Sequence, residues 1–111
     1  MSIIHLLLAT LALYAATSAP EANACRVYGI VFEEKDPSLA TYRVYLTDDE
    51  YDADLVVFRE TNQLMATKTG IWCFIRNRSM ADFTVCFVKD RGMANFTAHF
   101  TEFEADARCN Q

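Results

Sequence analysis

Glycine and proline are scarce here, with three Gly and two Pro in 111 residues. Turns in this chain therefore have to be made largely by side chains that hydrogen-bond to the main chain. Positive charge is also short. Ten Lys and Arg stand against fifteen Asp and Glu, for a formal net charge of -5. That balance excludes a sequence-independent grip on nucleic-acid phosphates or on anionic lipid. Histidine is nearly absent beyond the first two dozen residues, where only His99 remains, and no second long apolar run follows the first. What is present is globular composition, 52% hydrophobic and 23% charged, in a length that suits one domain.

The chain opens with Met1-Ser2-Ile3-Ile4-His5 and an apolar run from Leu6 to Ala16. The run is too short to span a bilayer, and Ala22-Asn23-Ala24 gives the small-x-small pattern read by signal peptidase. A cut after Ala19 would place Pro20 next to the scissile bond, so the expected cut lies before Cys25. Residues 1–24 are then a signal peptide and 25–111 the working domain. The protein is expected to be secreted, into the periplasm if the source is bacterial.

Within that domain the aromatics Phe32, Tyr45, Phe58, Phe74, Phe87 and Phe100 recur at spacings of 13, 13, 16, 13 and 13. Alanines follow at Ala40, Ala53, Ala66, Ala81, Ala94 and Ala105, each with Thr, Asp or Asn behind it (Thr41, Asp54, Thr67, Asp82, Asn95, Asp106). Six copies of one unit thus fill the domain. Each holds a short run of β-favouring residues and a return loop. In Leu55-Val56-Val57-Phe58 and Ile71-Trp72-Cys73-Phe74-Ile75 the apolar run is continuous rather than alternating, which predicts strands covered on both faces. The alanines mark close approaches of backbone, and the Asp, Asn or Thr after each is expected to turn the chain by bonding locally. The first copy has two registers, because Arg26-Val27-Tyr28 repeats as Arg43-Val44-Tyr45. The expected fold is mainly β: a compact single domain of six strand–loop repeats of about 13 residues.

The run Arg43-Val44-Tyr45-Leu46-Thr47-Asp48-Asp49-Glu50-Tyr51-Asp52-Ala53-Asp54-Leu55 resembles the repeat of the septoil knot domain family. Gly70-Ile71-Trp72-Cys73-Phe74-Ile75 and Met80-Ala81-Asp82-Phe83 extend the likeness, which covers roughly Cys25 to Arg108. The resemblance implies a compact β-rich monomer whose backbone forms a seven-crossing knot. It brings no established activity and no catalytic residues, so none are carried over.

Four cysteines in an exported chain predict two disulfides among three connectivities. Cys73 and Cys86 hold the same place in consecutive units, so if consecutive units pair, those two can bond. Cys25 and Cys109 lie at the two ends of the working domain, and domain termini are often close. The expected bridges are Cys73–Cys86 and Cys25–Cys109. His99 shares the register of Cys73 and Cys86, but a Cys2His zinc set fits no standard spacing and competes with oxidation of both thiols. The acidic run Asp48–Asp54 fails as a calcium loop, with Ala53 where Gly is needed and Arg59 in place of the bidentate Glu. Its acids read as turn formers. No carboxylate pair stands out for acid–base hydrolysis. Asn77-Arg78-Ser79 and Asn95-Phe96-Thr97 are N-glycosylation sequons.

The expected function is a non-enzymatic, disulfide-stabilised secreted module, a scaffold or binding protein for an extracellular protein or glycan. It is expected to be a monomer without cofactor or metal, and without nucleic-acid or membrane contact once the signal is removed. The alternative is a small secreted enzyme or enzyme inhibitor working through exposed loops.

Overall fold

The computed structural model of the chain describes residues 23–111. The expected signal peptide falls almost wholly on residues 1–22, outside the described residues. Six parallel strands close a barrel: β1 (Gly29–Glu33), β2 (Tyr42–Leu46), β3 (Leu55–Arg59), β4 (Ile71–Phe74), β5 (Phe83–Phe87) and β6 (Phe96–Thr101). Their order is β4-β1-β5-β2-β6-β3, and β3 returns to β4 to complete the ring. A two-residue strand, β7 (Arg108–Cys109), pairs antiparallel with the start of β3.

The order interleaves the two halves of the chain. Strands of the first half alternate with strands of the second, so a strand's neighbours lie three or four units away. The exception is the β3–β4 junction, where the halves meet in sequence. Each strand pairs with one neighbour through its first residues and with the other through its last. Val31 makes the change-over in β1, lying opposite Phe74 on one side and Phe83 on the other. Val44 does the same between Phe87 and Phe96. These two valines fix the first-copy register as Phe32 rather than Tyr28, since Val31, Val44 and Val57 are equivalent, fully buried positions.

Alternation along the strands gives two apolar environments. Val31, Val44, Leu55, Val57, Trp72, Phe83, Val85, Phe96 and Ala98 fill the barrel, where Trp72 stacks edge-on against Phe83 and Phe96. The buried Trp72 indole N–H donates to the Val27 carbonyl at 2.8 Å, so its burial leaves no polar atom unpaired. Residues of opposite parity, such as Val56, Ile71, Cys73 and Cys86, are buried on the outer wall. Four short 3-10 turns pack there against strands of the opposite half: Pro37–Leu39 on β5, Arg78–Met80 on β1, Arg91–Met93 on β2 and Glu104–Asp106 on β3. The continuous apolar runs follow from this double coverage.

Between β1 and β2 the return takes only residues 34–41, shorter than the usual parallel crossover. It is compact because an Asx turn starts it. Asp36 Oδ1 accepts from Ser38 N at 2.9 Å, and Asp49, Asn62, Asn77 and Asp90 repeat this with the amide two residues on. Only Phe103, at the sixth place, has no capping side chain. These Asx residues recur at spacings of 13, 13, 15 and 13. The residue after Ala40, Ala53, Ala81 or Ala94 does a different job from the local turn expected of it. Asp82 Oδ2 accepts from Ile30 N at 2.9 Å and Asn95 Oδ1 from Arg43 N at 2.7 Å. Thr41 and Thr84 exchange amide-to-hydroxyl bonds; Asp54 N donates to the Thr97 hydroxyl and Thr97 N to the Asp54 carboxylate. Each such side chain clamps the start of a strand to a strand of the other half.

The alanines divide by environment. Ala53 and Ala66 are buried, Ala40, Ala81 and Ala94 half-buried, and Ala105 exposed. Ala105 is out of register. Ala107, thirteen residues after Ala94, takes the equivalent place after the last 3-10 turn. Gly70, with φ +80°, marks the junction of the halves, where a Cβ would sit 2.7 Å from the Val56 carbonyl oxygen. That position combines a left-handed backbone with a close approach, and glycine alone satisfies both.

Replacing Ala53, 2% exposed, with Leu is expected to overpack the site and cost about 1–3 kcal/mol. Ala105→Leu, on the exposed turn, should stay within about 0.5 kcal/mol. Urea unfolding of the two variants beside the parent measures the difference.

Candidate functional site

Because all six barrel strands run the same way, their carboxyl ends meet at one mouth. Phe74, Phe87 and Phe100 close it from the second half, their ring centroids 6.4, 6.1 and 5.8 Å apart in a triangle. The first half contributes the last residues of its three strands, Glu33, Leu46 and Arg59, all exposed. Here the equivalent positions differ in chemistry: an acid, an apolar side chain and a base. Arg59 folds over the rings, with its guanidinium carbon 4.1 Å from the Phe100 centroid and 4.6 Å from that of Phe74.

A cavity of about 380 Å³ opens beside it, lined by Phe32, Glu33, Arg59, Phe74, Ile75 and Arg76. The equivalent cavity one strand pair further round, about 430 Å³, is lined by Tyr45, Leu46, Phe87, Val88 and Lys89. Only the first brings together two guanidiniums. Three other arginines are spent in ion pairs: Arg91 forks onto Asp52 at 2.8 and 3.1 Å, Arg78 meets Glu34 at 3.0 Å, and Arg108 lies 3.9 Å from Glu50. Among the described residues Arg59 and Arg76 form no ion pair. The arrangement can hold an anion. The sequence signal for it was the break in chemistry at Glu33, Leu46 and Arg59, which residue-type motifs do not report.

The cysteines are placed differently from expectation. Cys25 and Cys109 are joined, with Cα atoms 5.2 Å apart across a sequence separation of 84. Cys73 and Cys86 are free thiols. The expected Cys73–Cys86 bridge fails because these two consecutive units do not pair: β1 runs between β4 and β5. Cys73 lies opposite Ile30 of β1, and Cys86 opposite Arg43 of β2. The same interleaving separates His99, on β6, from both thiols. Its Nδ1 is 2.8 Å from the Thr47 carbonyl oxygen. Among the described residues no cluster of three His, Cys, Asp or Glu could hold a metal ion.

The acidic run is occupied internally. Asp49 makes a turn, Asp54 accepts from Thr97 N, and the Arg91 guanidinium holds the Asp52 carboxyl below its usual range. Asn77 is exposed, and its Oδ1 accepts from both Ser79 N and Ser79 Oγ. Asn95 is half-buried and committed to Arg43 N.

Burial, reinforced by Glu60 near Cys73 and by Asp36, Glu34 and Glu33 near Cys86, pushes both thiols above their ordinary range. Alkylation in denaturant without reductant is expected to label two cysteines per chain, and four after reduction. Unfolded thiols release protons near about pH 8.5 while the folded ones hold theirs. Their contribution to stability should therefore be complete below that pH and fall as pH rises past it. A Cys73→Ala/Cys86→Ala double variant should lose that part of the decline in unfolding free energy.

A family model described as the 7(1) septoil knot domain matches residues 24–110. No curated protein and no solved structure matches the chain. Interleaved parallel strands, a closed six-stranded barrel and a match over nearly the whole described chain lead to one conclusion: the protein belongs to the septoil knot domain family.

Proposed function

We propose that the chain is an exported, non-enzymatic module that works by binding at the mouth of its barrel, with the terminal disulfide holding the scaffold closed. The observation that carries this reading is how the titratable groups are used. His99 is held against the Thr47 carbonyl, and Asp36, Asp49, Asp52, Asp54, Asp82 and Asp90 are taken up in turns, clamps or an ion pair. The cavity beside Arg59 keeps unpaired charge and is lined by two guanidiniums, one carboxylate and apolar walls, a set suited to holding a ligand rather than transforming it. A disulfide fits an oxidising compartment, and among the described residues no helix is long and apolar enough to cross a membrane.

Export places a condition on processing. Ala24 is fully buried in the core and Asn23 caps the turn Ala24–Arg26, accepting from Cys25 N at 3.1 Å. A cut before Cys25 would remove both. The signal is therefore proposed to be cut at or upstream of Asn23, leaving Asn23 and Ala24 in the mature chain. Glycosylation in a eukaryotic host belongs at exposed Asn77 rather than Asn95.

Intact mass of the protein secreted by such a host is expected to show a chain that includes Asn23 and Ala24. It should also show one disulfide, and a glycan lost in Asn77→Gln but not in Asn95→Gln. A panel of chromogenic ester, glycoside and peptide substrates is expected to show no turnover. Turnover that disappears in His99→Ala would replace the binding module with the enzyme reading.

A further inference from the structure

Arg59 differs from an ordinary surface arginine in lying over two aromatic rings. Its guanidinium carbon is 4.6 Å from the Phe74 ring centroid and 4.1 Å from that of Phe100, within the range of a cation–π contact. The guanidinium N–H groups form no hydrogen bond or ion pair among the described residues. The fork is therefore open to an anion, which can gain two parallel bonds from it. Arg76, two residues beyond β4, lines the same cavity and forms no ion pair among the described residues.

The rest of the cavity narrows the ligand. Phe32, Phe74 and Ile75 present apolar surface, so a flat apolar body can be covered once the anionic end is held. The volume of about 380 Å³ lies at the small end of ligand sites. Glu33 on the rim offsets one of the two cations, leaving one net positive charge, so a singly charged anion matches the site better than a dianion. We infer that the cavity between the ends of β1, β3 and β4 binds small aromatic monocarboxylates, with the carboxylate on Arg59 and Arg76 and the ring against Phe32 and Phe74. This names the ligand class for the binding function proposed above and rests on it.

The probe is phenylacetate, titrated into the intact isotope-labelled protein and followed by amide and arginine Nε–H shifts. Acetate, phenethylamine and phenyl phosphate serve as comparisons. Phenylacetate is expected to saturate below about 10 mM, with shifts centred on Arg59 and on Phe74 to Arg76. Acetate and phenyl phosphate should bind at least about tenfold more weakly, and phenethylamine should leave these signals in place. Arg59→Gln and Arg76→Gln should each weaken phenylacetate by about tenfold, while Lys89→Gln, in the equivalent cavity, should bind as the parent does. Arg59→Lys keeps the charge but not the fork and should fall with the Gln variant. If Arg59→Gln fails to fold, Arg76→Gln decides the matter. Absence of saturation by about 10 mM, or equal binding in the parent and both arginine variants, would overturn the ligand class. Either result leaves the binding module itself to the turnover test, whose outcome is independent of this titration.

Discussion

The barrel rests on parallel pairing between segments that are remote in the chain. A parallel neighbour cannot be reached by a tight hairpin, and a unit of thirteen residues has little chain to spare for a crossover. The solution seen here is that each unit leaves room beside its strand for a strand of the other half. Four of the 3-10 turns lie on such strands from outside. The turns need early Asx residues to keep the returns short, and residues such as Asp54, Asp82 and Asn95 to tie each strand start across the junction. Ladder, clamp and covering turn thus all join the two halves, and neither half has a sheet without the other.

That arrangement explains which features could be read in advance. A thirteen-residue period reports the content of a unit, so the strands, their burial on both faces at Leu55–Phe58, and the rarity of glycine were legible. Period alone says nothing about which units become neighbours. The Cys73–Cys86 pairing assumed that consecutive copies touch, and β1 between them removes the contact. The roles of Asp82 and Asn95 were obscured for the same reason, since their partners lie 52 residues away. The Asx turns at Asp36, Asn62, Asn77 and Asp90 were legible in principle. Their spacing is as regular as that of the aromatics, but the chain mixes Asp with Asn and ends the series at Phe103. At the mouth, Arg59 stood out only once Val31, Val44 and Val57 had fixed the register.

The mouth also shows how a near-symmetric scaffold acquires an address. The rings of Phe74, Phe87 and Phe100 form a threefold set, and the same three positions support any cavity around the rim. Difference enters through Glu33, Leu46 and Arg59, which carry no interior packing and can vary without disturbing the barrel. Affinity for a ligand is then a property of rim side chains placed on rigid strand ends. The interior, by contrast, is constrained by Trp72, whose indole closes the opposite end through Val27.

The Cys25–Cys109 bond lies at that opposite end, where the segment Ala24–Val27 packs against the core and β7 joins the edge of β3. Seen as a mechanical linkage, the bond is a shunt. Tension applied to the two tails of the oxidised protein passes from one sulfur to the other, and the barrel, attached to this bridge as a closed loop, carries none of it. A protease or a translocation motor that grips a tail meets a covalent ring rather than a thread that can be drawn out strand by strand. Reduction transfers the same load to the terminal segments, beginning with the two-residue β7 and the turn that Asn23 caps.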